Sequence, residues 1–239
     1  MKQAGPDFSI VVPALYEEDT IAGLLEHIGG LDGAGRCEVI VVDGDPAGGT
    51  LQTIQDDRVV TMTSPPWRSR QMNAGAAAAR GPTLIFLHAD TRLPPDALSD
   101  IDAALRGDKF VGGAFRLRFD SDRFIYRLMS GFVTIRSRWN RLPYGDQAIF
   151  LRRGYFERIG GYSEIPLMED VDIVRRIRRL GGRIKILDSS VRTSRRRLEA
   201  EGVARRVLQN WLITVLYAVG VSPEKLVRFY SEDYRRKND

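Results

Sequence analysis

The chain has 239 residues, and 43% of them are hydrophobic, which is enough for one large domain or two small ones with a sizeable core. Its single cysteine, Cys37, excludes a disulfide framework and fits a reducing compartment such as the cytoplasm. No stretch of the sequence reaches the roughly 18 consecutive apolar residues of a membrane-spanning helix. We therefore expect a globular, cytoplasmic protein.

The net charge of +5 is distributed unevenly along the chain. Residues 1–120 carry 11 Lys and Arg against 17 Asp and Glu, whereas residues 121–239 carry 25 against 14. A basic half favours an anionic partner, such as a phosphate, a nucleic acid or an acidic membrane surface. For most of the individual arginines, a solvated basic face is the plainer explanation.

Three short apolar runs, at residues 8–13, 38–43 and 84–87, lack the alternation of a half-exposed strand. Such runs are typical of strands that are buried on both faces of a parallel sheet. Helical patterns that begin near residues 20, 50 and 67 alternate with them. The sequence therefore predicts an α/β fold, with a mostly parallel central sheet flanked by helices.

Polar residues follow each of these runs, namely Glu17, Asp43, His88 and Asp90. Since the carboxyl ends of parallel strands meet at the edge where open α/β sheets bind ligands, we expect these side chains to face one crevice. The Asp90 carboxylate is a hard oxygen ligand that suits Mg²⁺ or Mn²⁺ on a phosphate. Capping of the following turn explains Asp90 equally well when it is taken alone.

The loops between these elements exclude two common nucleotide motifs. The glycine-rich loop at residues 44–50 does not have the spacing of a dinucleotide fingerprint, and no Gly-Lys-Ser/Thr phosphate loop occurs. Arg68 and Arg70 begin a predicted alanine-rich helix, where positive charge opposes the helix dipole. Their position suggests a nearby anion, with simple surface placement as the alternative.

In the middle of the chain the sequence pattern changes from apolar runs to an alternation of apolar and charged residues. At residues 111–119 apolar side chains alternate with Arg116 and Arg118, which predicts a strand with one wet face, and Gly113 at its start permits a close backbone approach. Residues 124–135 form an amphipathic pattern that predicts core packing or, alternatively, a partner or membrane contact. A polar and aromatic loop follows before a short strand at 148–151, and it contains Trp139, Tyr144, Gly145, Asp146 and Gln147.

Three acids, Glu169, Asp170 and Asp172, fall in the first turn of a predicted helix whose outer face is rich in arginine. Acids at this position stabilise a helix by roughly 0.3–1 kcal/mol each, so capping alone explains some of them. Three acids for one helix start exceed what capping requires. The adjacent pair Glu169 and Asp170 is therefore a candidate for acid–base chemistry.

The last part of the sequence predicts an edge strand at residues 184–187 and helices at 203–217 and 223–230. We expect one domain at residues 1–190 and, at 191–239, a C-terminal helical extension packed on it. The basic sequence around residues 195–206, together with the apolar residues 211–217, gives an alternative expectation. Such a helix can lie at an anionic membrane surface.

Taken together, these motifs resemble glycosyltransferase family 2, the inverting enzymes of the GT-A fold, over about residues 8–190. The resemblance is carried by the first strand with Glu17, the second strand with Asp43, the helix start at Arg70, the strand end at Asp90, and Glu169-Asp170 before the arginine-bearing helix. Each motif is weak alone, but five in the right order are specific. Residues 87–94 with 144–147 also resemble a small soluble bacterial subgroup sometimes linked to arsenosugar-type pathways.

The resemblance implies roles for individual residues. Pro13, Glu17, Asp43, Arg70, His88 and Asp90 would bind the nucleotide. Gly113, Trp139, Tyr144, Asp146 and Gln147 would lie on the acceptor and sugar side. Asp170, beside Glu169, would be the general base that deprotonates an acceptor hydroxyl in a single inverting displacement.

The sequence departs from the family pattern at His88, which stands where the family usually has the first acid of its Asp-X-Asp motif. The resemblance implies a divalent metal, Mn²⁺ or Mg²⁺, at Asp90 and His88, and imidazole as a softer ligand could favour Mn²⁺ or signal a weakened site. The Gln-X-X-Arg-Trp motif of processive members is absent, so an enzyme that extends a polymer is not expected.

The expected partners are a nucleoside-diphosphate sugar, with a UDP-sugar favoured, and a small-molecule or lipid-linked acceptor. Peripheral contact with the inner face of the membrane stays open. One rival is a sugar nucleotidyltransferase, but the loop after the first strand is acidic where such enzymes carry a basic, glycine-rich loop. Another is a nucleic-acid-binding protein, which the lack of aromatic residues interleaved with the arginines disfavours.

Overall fold

The computed structural model describes residues 5–120, 143–194 and 203–227. In these residues eight strands form one sheet in the order β3-β2-β1-β4-β7-β6-β8-β5. The strands are β1 (Phe8–Ala14), β2 (Cys37–Asp43), β3 (Val60–Thr63), β4 (Thr83–Phe86), β5 (Thr91–Arg92), β6 (Gly112–Phe119), β7 (Phe150–Arg152) and β8 (Ile184–Thr193). The helices are α1 (Glu18–Gly29), α2 (Gly49–Gln52), α3 (Arg68–Ala78), α4 (Ala97–Leu105), α5 (Arg153–Arg158), α6 (Glu169–Arg179), α7 (Val203–Ala218) and α8 (Pro223–Leu226). Two 3-10 turns lie at Ala34–Arg36 and Gly145–Gln147.

The predicted α/β fold is confirmed. The first four strands of the sheet, β3-β2-β1-β4, are parallel to one another, and β6 pairs with β8 in the same sense. Antiparallel pairs join β7 to β4 and β6, and β5 to β8, so the whole sheet is mixed. All seven residues of β1 are buried, as the unbroken apolar run predicts for a strand covered on both faces.

Two apolar layers enclose this sheet. One cluster joins the sheet to α1 and α4 through Ile21, Leu24 and Leu98. The other joins it to α3, α5 and α6 through Met72, Phe156 and Ile177. In α6 the buried positions Ile173, Val174 and Ile177 recur at helical spacing, because the face opposite the arginines packs on the sheet. The helices therefore cover both faces, and the carboxyl edge of the parallel strands faces outward between them.

The strand predicted at residues 184–187 is present but longer than predicted. β8 runs from Ile184 to Thr193 and lies between β6 and β5. β5 pairs with its last two residues, Arg192 and Thr193, so β8 is not an edge strand at that end. β8 also passes through residue 190, where the boundary between domain and extension was predicted.

The second half of β6 has the predicted wet face, since Phe115 and Leu117 are buried while Arg118 is exposed. The C-terminal helix α7 packs its residue Ile213 on a small cluster formed with Leu167, Met168 and Val171, just before and within α6. The predicted amphipathic segment at 124–135 and the residue Trp139 lie outside the described residues, as does the end of the helix predicted at 223–230.

Candidate active site

Asp43 and Thr50 tie together the loops after β1 and β2. The Asp43 carboxylate is fully buried. It accepts the backbone N–H of Asp45 at 3.0 Å and that of Thr50 at 3.0 Å. The Thr50 hydroxyl in turn accepts the N–H of Glu17 at 3.2 Å, and the Glu17 carboxylate accepts the hydroxyl of Thr20 at 2.6 Å. From its buried position Asp43 therefore fixes the loop at the rim of the crevice. Its predicted contact with a nucleotide stays a prediction.

Gln71 fixes the strand ends from the other side, a role that the sequence analysis missed. Its side-chain amide donates to the carbonyl of Ala14 at 2.5 Å and to that of Val42 at 2.9 Å, so it bridges β1 and β2. The residue is buried on α3, next to Arg70. Pro13 is buried in β1 opposite Val42. The sequence signal for the role of Gln71 was a glutamine on a helix face that otherwise carries mainly small or apolar residues.

The start of α3 presents two arginines to the loop before α6. The Arg70 guanidinium stacks 4.0 Å from the centroid of the Trp67 ring and donates to Glu164 at 3.2 Å. The Arg68 guanidinium lies 3.8 Å from the Glu169 carboxylate. Arg68 is thus the arginine of this helix that reaches the acid pair, while the predicted contact between Arg70 and the nucleotide stays a prediction.

Glu169 and Asp170 occupy different environments at the start of α6. Glu169 is only 5% exposed, and burial, reinforced by the charge of Asp170, raises its pKa to about 7. Arg68 opposes this rise. Asp170 is half-buried, and its two carboxylate oxygens accept the N–H groups of Gly145 and Val171, each at 2.7 Å. The buried position therefore favours the protonated form of Glu169 more than an exposed position would.

Gly145 joins the end of β4 to the start of α6. A Cβ atom at Gly145 would lie 3.0 Å from Nε2 of His88 and 3.6 Å from Oδ2 of Asp170. The His88 ring and the Asp170 carboxylate therefore both border the same glycine. Residues that are 82 positions apart in the sequence meet here, as the predicted crevice requires.

The other residues predicted on the acceptor side have mainly structural contacts. Gln147 is fully buried, donates to the carbonyl of Phe115 at 2.8 Å and accepts the N–H of Tyr144 at 3.1 Å. The Tyr144 hydroxyl lies 2.9 Å from that of Thr214 on α7. Gly113 is buried in β6, where a Cβ atom would overlap the Phe150 ring. Asp146 is half-buried in the 3-10 turn.

Backbone strain concentrates around these residues. Four non-glycine residues of the described chain have positive φ, namely Tyr16 (55°), Trp67 (99°), Ala148 (47°) and Met168 (70°). They directly precede Glu17, Arg68 and Glu169, or follow Gln147. Such conformations cost of order 1–3 kcal/mol each and cluster at functional sites. The strain therefore marks the same edge of the sheet as the charged side chains.

A cavity of about 1140 Å³ opens beside this edge. Glu17 and Asp90 line one part of it, and the end of β8 with Arg92 and Arg118 lines another. This volume is at the upper end for small-molecule sites, so it has room for two ligands. Among the residues that the structure describes, no group of three or more His, Cys, Asp or Glu side chains could hold a metal ion by itself.

A crevice of this kind, with carboxylates and arginines at the carboxyl ends of parallel strands, is where open α/β folds bind their ligands. The family model for Glycosyl transferase family 2 matches residues 9–163. The chain therefore belongs to Glycosyl transferase family 2. This assignment supports the transferase interpretation over the nucleotidyltransferase and nucleic-acid-binding ones.

Relatives and solved structures agree with this family. A PGL/p-HBAD biosynthesis glycosyltransferase of Mycobacterium tuberculosis is 29% identical over 180 residues, which are 67% of this chain and 64% of that protein. The chain thus spans less than two thirds of that relative. A dolichol-phosphate mannosyltransferase of Mycosarcoma maydis is 28% identical over 122 residues, 45% of this chain and 42% of that protein.

Two solved structures share the fold. The mannosyltransferase PcManGT of Pyrobaculum calidifontis, in complex with GDP-Man and Mn²⁺, has a TM-score of 0.68 at 18% identity and covers 92% of this chain and 67% of its own. S. aureus TarS 1-349, in complex with UDP-GlcNAc, has a TM-score of 0.60 at 18% identity and covers 79% of this chain and 58% of its own. At this identity the likeness establishes the GT-A type of fold.

Proposed function

We propose that the protein transfers a sugar from a nucleoside-diphosphate sugar to an acceptor hydroxyl, with inversion and in a single displacement. The observation that carries the proposal is the Asp170 carboxylate, held by the Gly145 N–H beside the His88 ring at the end of β4. This geometry supports a general base next to a donor site. The adjacent Glu169 is buried, and burial raises its pKa to about 7, which disfavours it as a nucleophile.

The Asp170 carboxylate is held in a fixed orientation for proton transfer. Each of its oxygens accepts one backbone N–H, from Gly145 and from Val171. The neighbouring Glu169, when protonated, adds no negative charge that would compete for that proton, and Arg68 balances the pair when both are ionised. Glu169 is therefore a positioning residue, and Asp170 is the base.

The donor is a nucleoside-diphosphate sugar. A UDP-sugar is the first candidate, and the structural neighbours solved with UDP-GlcNAc and with GDP-Man support both bases as tests. Glu17 lines the cavity where the base and ribose would lie, Asp43 fixes the neighbouring loops from a buried position, and the start of α3 supplies positive charge. The acceptor is a small molecule or a lipid-linked molecule.

A divalent metal, Mn²⁺ or Mg²⁺, fits this site only together with the donor. Asp90 lines the cavity and offers a carboxylate oxygen, and His88 is two residues away, but the described residues supply no complete ligand set. Cations of this type are often held by one or two carboxylates plus substrate phosphates. When bound, the cation would neutralise charge that gathers on the leaving diphosphate.

The C-terminal helix supports peripheral contact with an anionic membrane surface. The structure contains no helix in its described residues that could cross a bilayer. On α7 and directly after it, however, exposed apolar side chains recur at helical spacing and form a stripe, consisting of Leu208, Trp211, Leu212, Val215 and Val219. The sequence next to this stripe is basic, with Arg195, Arg196, Arg197, Arg205 and Arg206. Apolar area with adjacent positive charge matches an anionic lipid interface.

The base assignment is tested with Asp170→Asn. The substitution keeps the shape of the side chain but removes the proton acceptor, so turnover should fall by about 10²–10⁴ while nucleotide binding is retained. The measurement is kcat with a nucleotide-sugar panel, together with the Kd for the nucleoside diphosphate. Asp172→Asn is a matched control, since Asp172 lies on the same turn but is bound to Ser163 and Arg176. Retained turnover in Asp170→Asn would overturn the assignment.

A further inference from the structure

Three arginines stand in one row across the second part of the sheet. Arg92 of β5 is directly opposite Arg192 of β8, and Arg192 is directly opposite Arg118 of β6. Residues in register on adjacent strands project from the same face of a sheet. Arg92, Arg192 and Arg118 are therefore neighbours on one face, and we refer to them as the arginine row.

The arginine row is electrostatically unfavourable by itself, because like charges directly opposite each other destabilise a sheet. On the same face of β6, two residues before Arg118, Arg116 forms an ion pair with Asp188. In the described part of the chain none of the three row arginines forms such a pair. Arg92 is also half-buried, and burial lowers its pKa despite the nearby Asp90.

All three arginines line the cavity beside the donor site. The opposite side of each strand is apolar or closed, since Leu117, Val191 and Thr193 are buried. The positive charge is thus directed into a space large enough for a ligand. Carboxylates line the cavity too: Glu17 and Asp90 at the donor end, Asp188 in its pair with Arg116, and Asp120 beyond Arg118.

We propose that the arginine row binds a phosphate group carried by the acceptor. Three guanidinium groups on one face match the several oxygens of a phosphate, each of which can accept charged hydrogen bonds. Hydroxyl groups of Ser190 and Ser194 line the same cavity and can add neutral hydrogen bonds. The inference rests on the proposed function and narrows its acceptor to a phosphate-bearing molecule.

The position of the row assigns the phosphate to the acceptor rather than to the donor. The donor residues Glu17 and Asp43 follow β1 and β2, whereas the row lies on β5, β8 and β6 at the other end of the sheet order. β6 is also the strand to which Gln147 of the predicted acceptor loop is bonded. Asp90 lies between the two regions, because it connects β4 to β5.

The experiment measures calorimetric binding of glycerol 3-phosphate, a phosphate monoester without base or sugar ring, to the full chain. Arg192→Gln and Arg118→Gln should each raise its Kd at least about tenfold, as expected for a lost charged hydrogen bond. Arg58→Gln is the matched control, since it removes the same charge from an exposed arginine that pairs with Asp56 far from the cavity. The Kd for UDP or GDP should stay within about twofold in all three variants.

A second measurement separates binding from a structural role. In buffer without phosphate, Arg192→Gln should raise Tm by about 1–3 °C, because it relieves repulsion from both neighbours. A side chain that merely holds the sheet together would lower Tm when removed. Unchanged affinity for glycerol 3-phosphate in both row variants, or equal weakening of UDP and GDP, would overturn the proposal.

The two proposals fail in distinguishable ways. Nucleotide binding without any glycerol 3-phosphate binding refutes the arginine row and leaves the transferase proposal intact. The absence of nucleotide binding refutes the transferase proposal, and the acceptor role of the row with it. Flotation with vesicles of phosphatidylcholine containing phosphatidic acid identifies the source: loss of flotation in Arg192→Gln assigns the phosphate to a lipid, and unchanged flotation assigns it to a soluble acceptor.

Discussion

The ends of β1 and β2 and the region around β4, β8 and α6 belong to the same sheet, but they treat polar groups differently. In the first region the Asp43 carboxylate accepts backbone N–H groups and the Gln71 amide donates to backbone carbonyl groups, so the loops and strand ends are fixed. In the second region two acids are adjacent, three arginines face one another, and Gly145 leaves no room for a side chain. The first region contributes stability, and the second keeps unfavourable charge where a ligand would bind.

Among the variants that compare the two regions, the largest effect is expected at Gly145, in the second region. In Gly145→Ala the new methyl group would lie 3.0 Å from Nε2 of His88, so the ring must shift away from the Asp170 side of the glycine. A displacement of this kind can cost up to about a hundredfold in kcat. Gly154→Ala is the control, because nothing lies within 4 Å of its Cβ position. Full activity in Gly145→Ala would show that the contact between these groups is not needed.

A substitution at Glu169 tests whether the buried acid of the second region lowers the stability of the fold. The pKa of Glu169 is about 7 in the folded chain against an ordinary 4.5, so between these values the folded state binds more protons than the unfolded state. The free energy of unfolding should therefore fall by about 2 kcal/mol as pH rises from about 4.5 to 7, and less in Glu169→Gln. Urea denaturation at several pH values measures this. Glu164→Gln, at an exposed acid paired with Arg70, should behave like the wild type.

Gln71 tests the first region, where we expect loss of stability rather than loss of chemistry. Gln71→Ala removes two hydrogen bonds to buried carbonyl groups and should lower the free energy of unfolding by about 1–2 kcal/mol. Gln52→Ala, which removes one bond from an exposed glutamine to the carbonyl of Ala47, should cost less than about 0.5 kcal/mol. Equal losses in the two variants would contradict the role given to Gln71.

The smallest effect is expected at the membrane stripe, away from both regions. Trp211→Ser should reduce flotation with vesicles containing phosphatidylglycerol about fivefold, since an exposed tryptophan (59%) on the stripe would no longer enter the lipid interface. Asn210→Ser, on the same turn but outside the stripe, should leave flotation unchanged. Equal flotation of Trp211→Ser and wild type would remove the stripe as a membrane contact.

The main elements of both regions were predicted from local sequence patterns. The strands at Phe8–Ala14, Cys37–Asp43 and Thr83–Phe86 are rich in consecutive apolar residues, and the helix at Glu169–Arg179 has a clear apolar stripe. Such local patterns reflect burial directly. The rule that ligands bind at the carboxyl ends of parallel strands placed His88 at the crevice, whereas the role expected for Asp170 came from the resemblance to the family.

Long-range pairing explains most of what the sequence did not predict. β8 pairs with β6 from Ile184 to Thr193 and with β5 at Arg192 and Thr193, and Thr91 and Thr193 are 102 residues apart. The arginine row forms only because β5, β8 and β6 pair in this register, so no local sequence pattern could predict it. Gln71 was missed because its partners are backbone carbonyl groups of two other strands, and Arg68 because its contact to Glu169 depends on how α3 meets α6.

The most direct test of the central claim is a thermal shift measurement with UDP and GDP, with and without Mn²⁺ or Mg²⁺. A nucleoside diphosphate at a hundred times its Kd should stabilise the protein by about 2.7 kcal/mol, or roughly 5–10 °C for a chain of this size. We expect such a shift with one of the two nucleotides, and a larger shift when metal is present if Asp90 helps to hold it. No shift with either nucleotide, with or without metal, would contradict a nucleotide-sugar donor site at the ends of β1, β2 and β4.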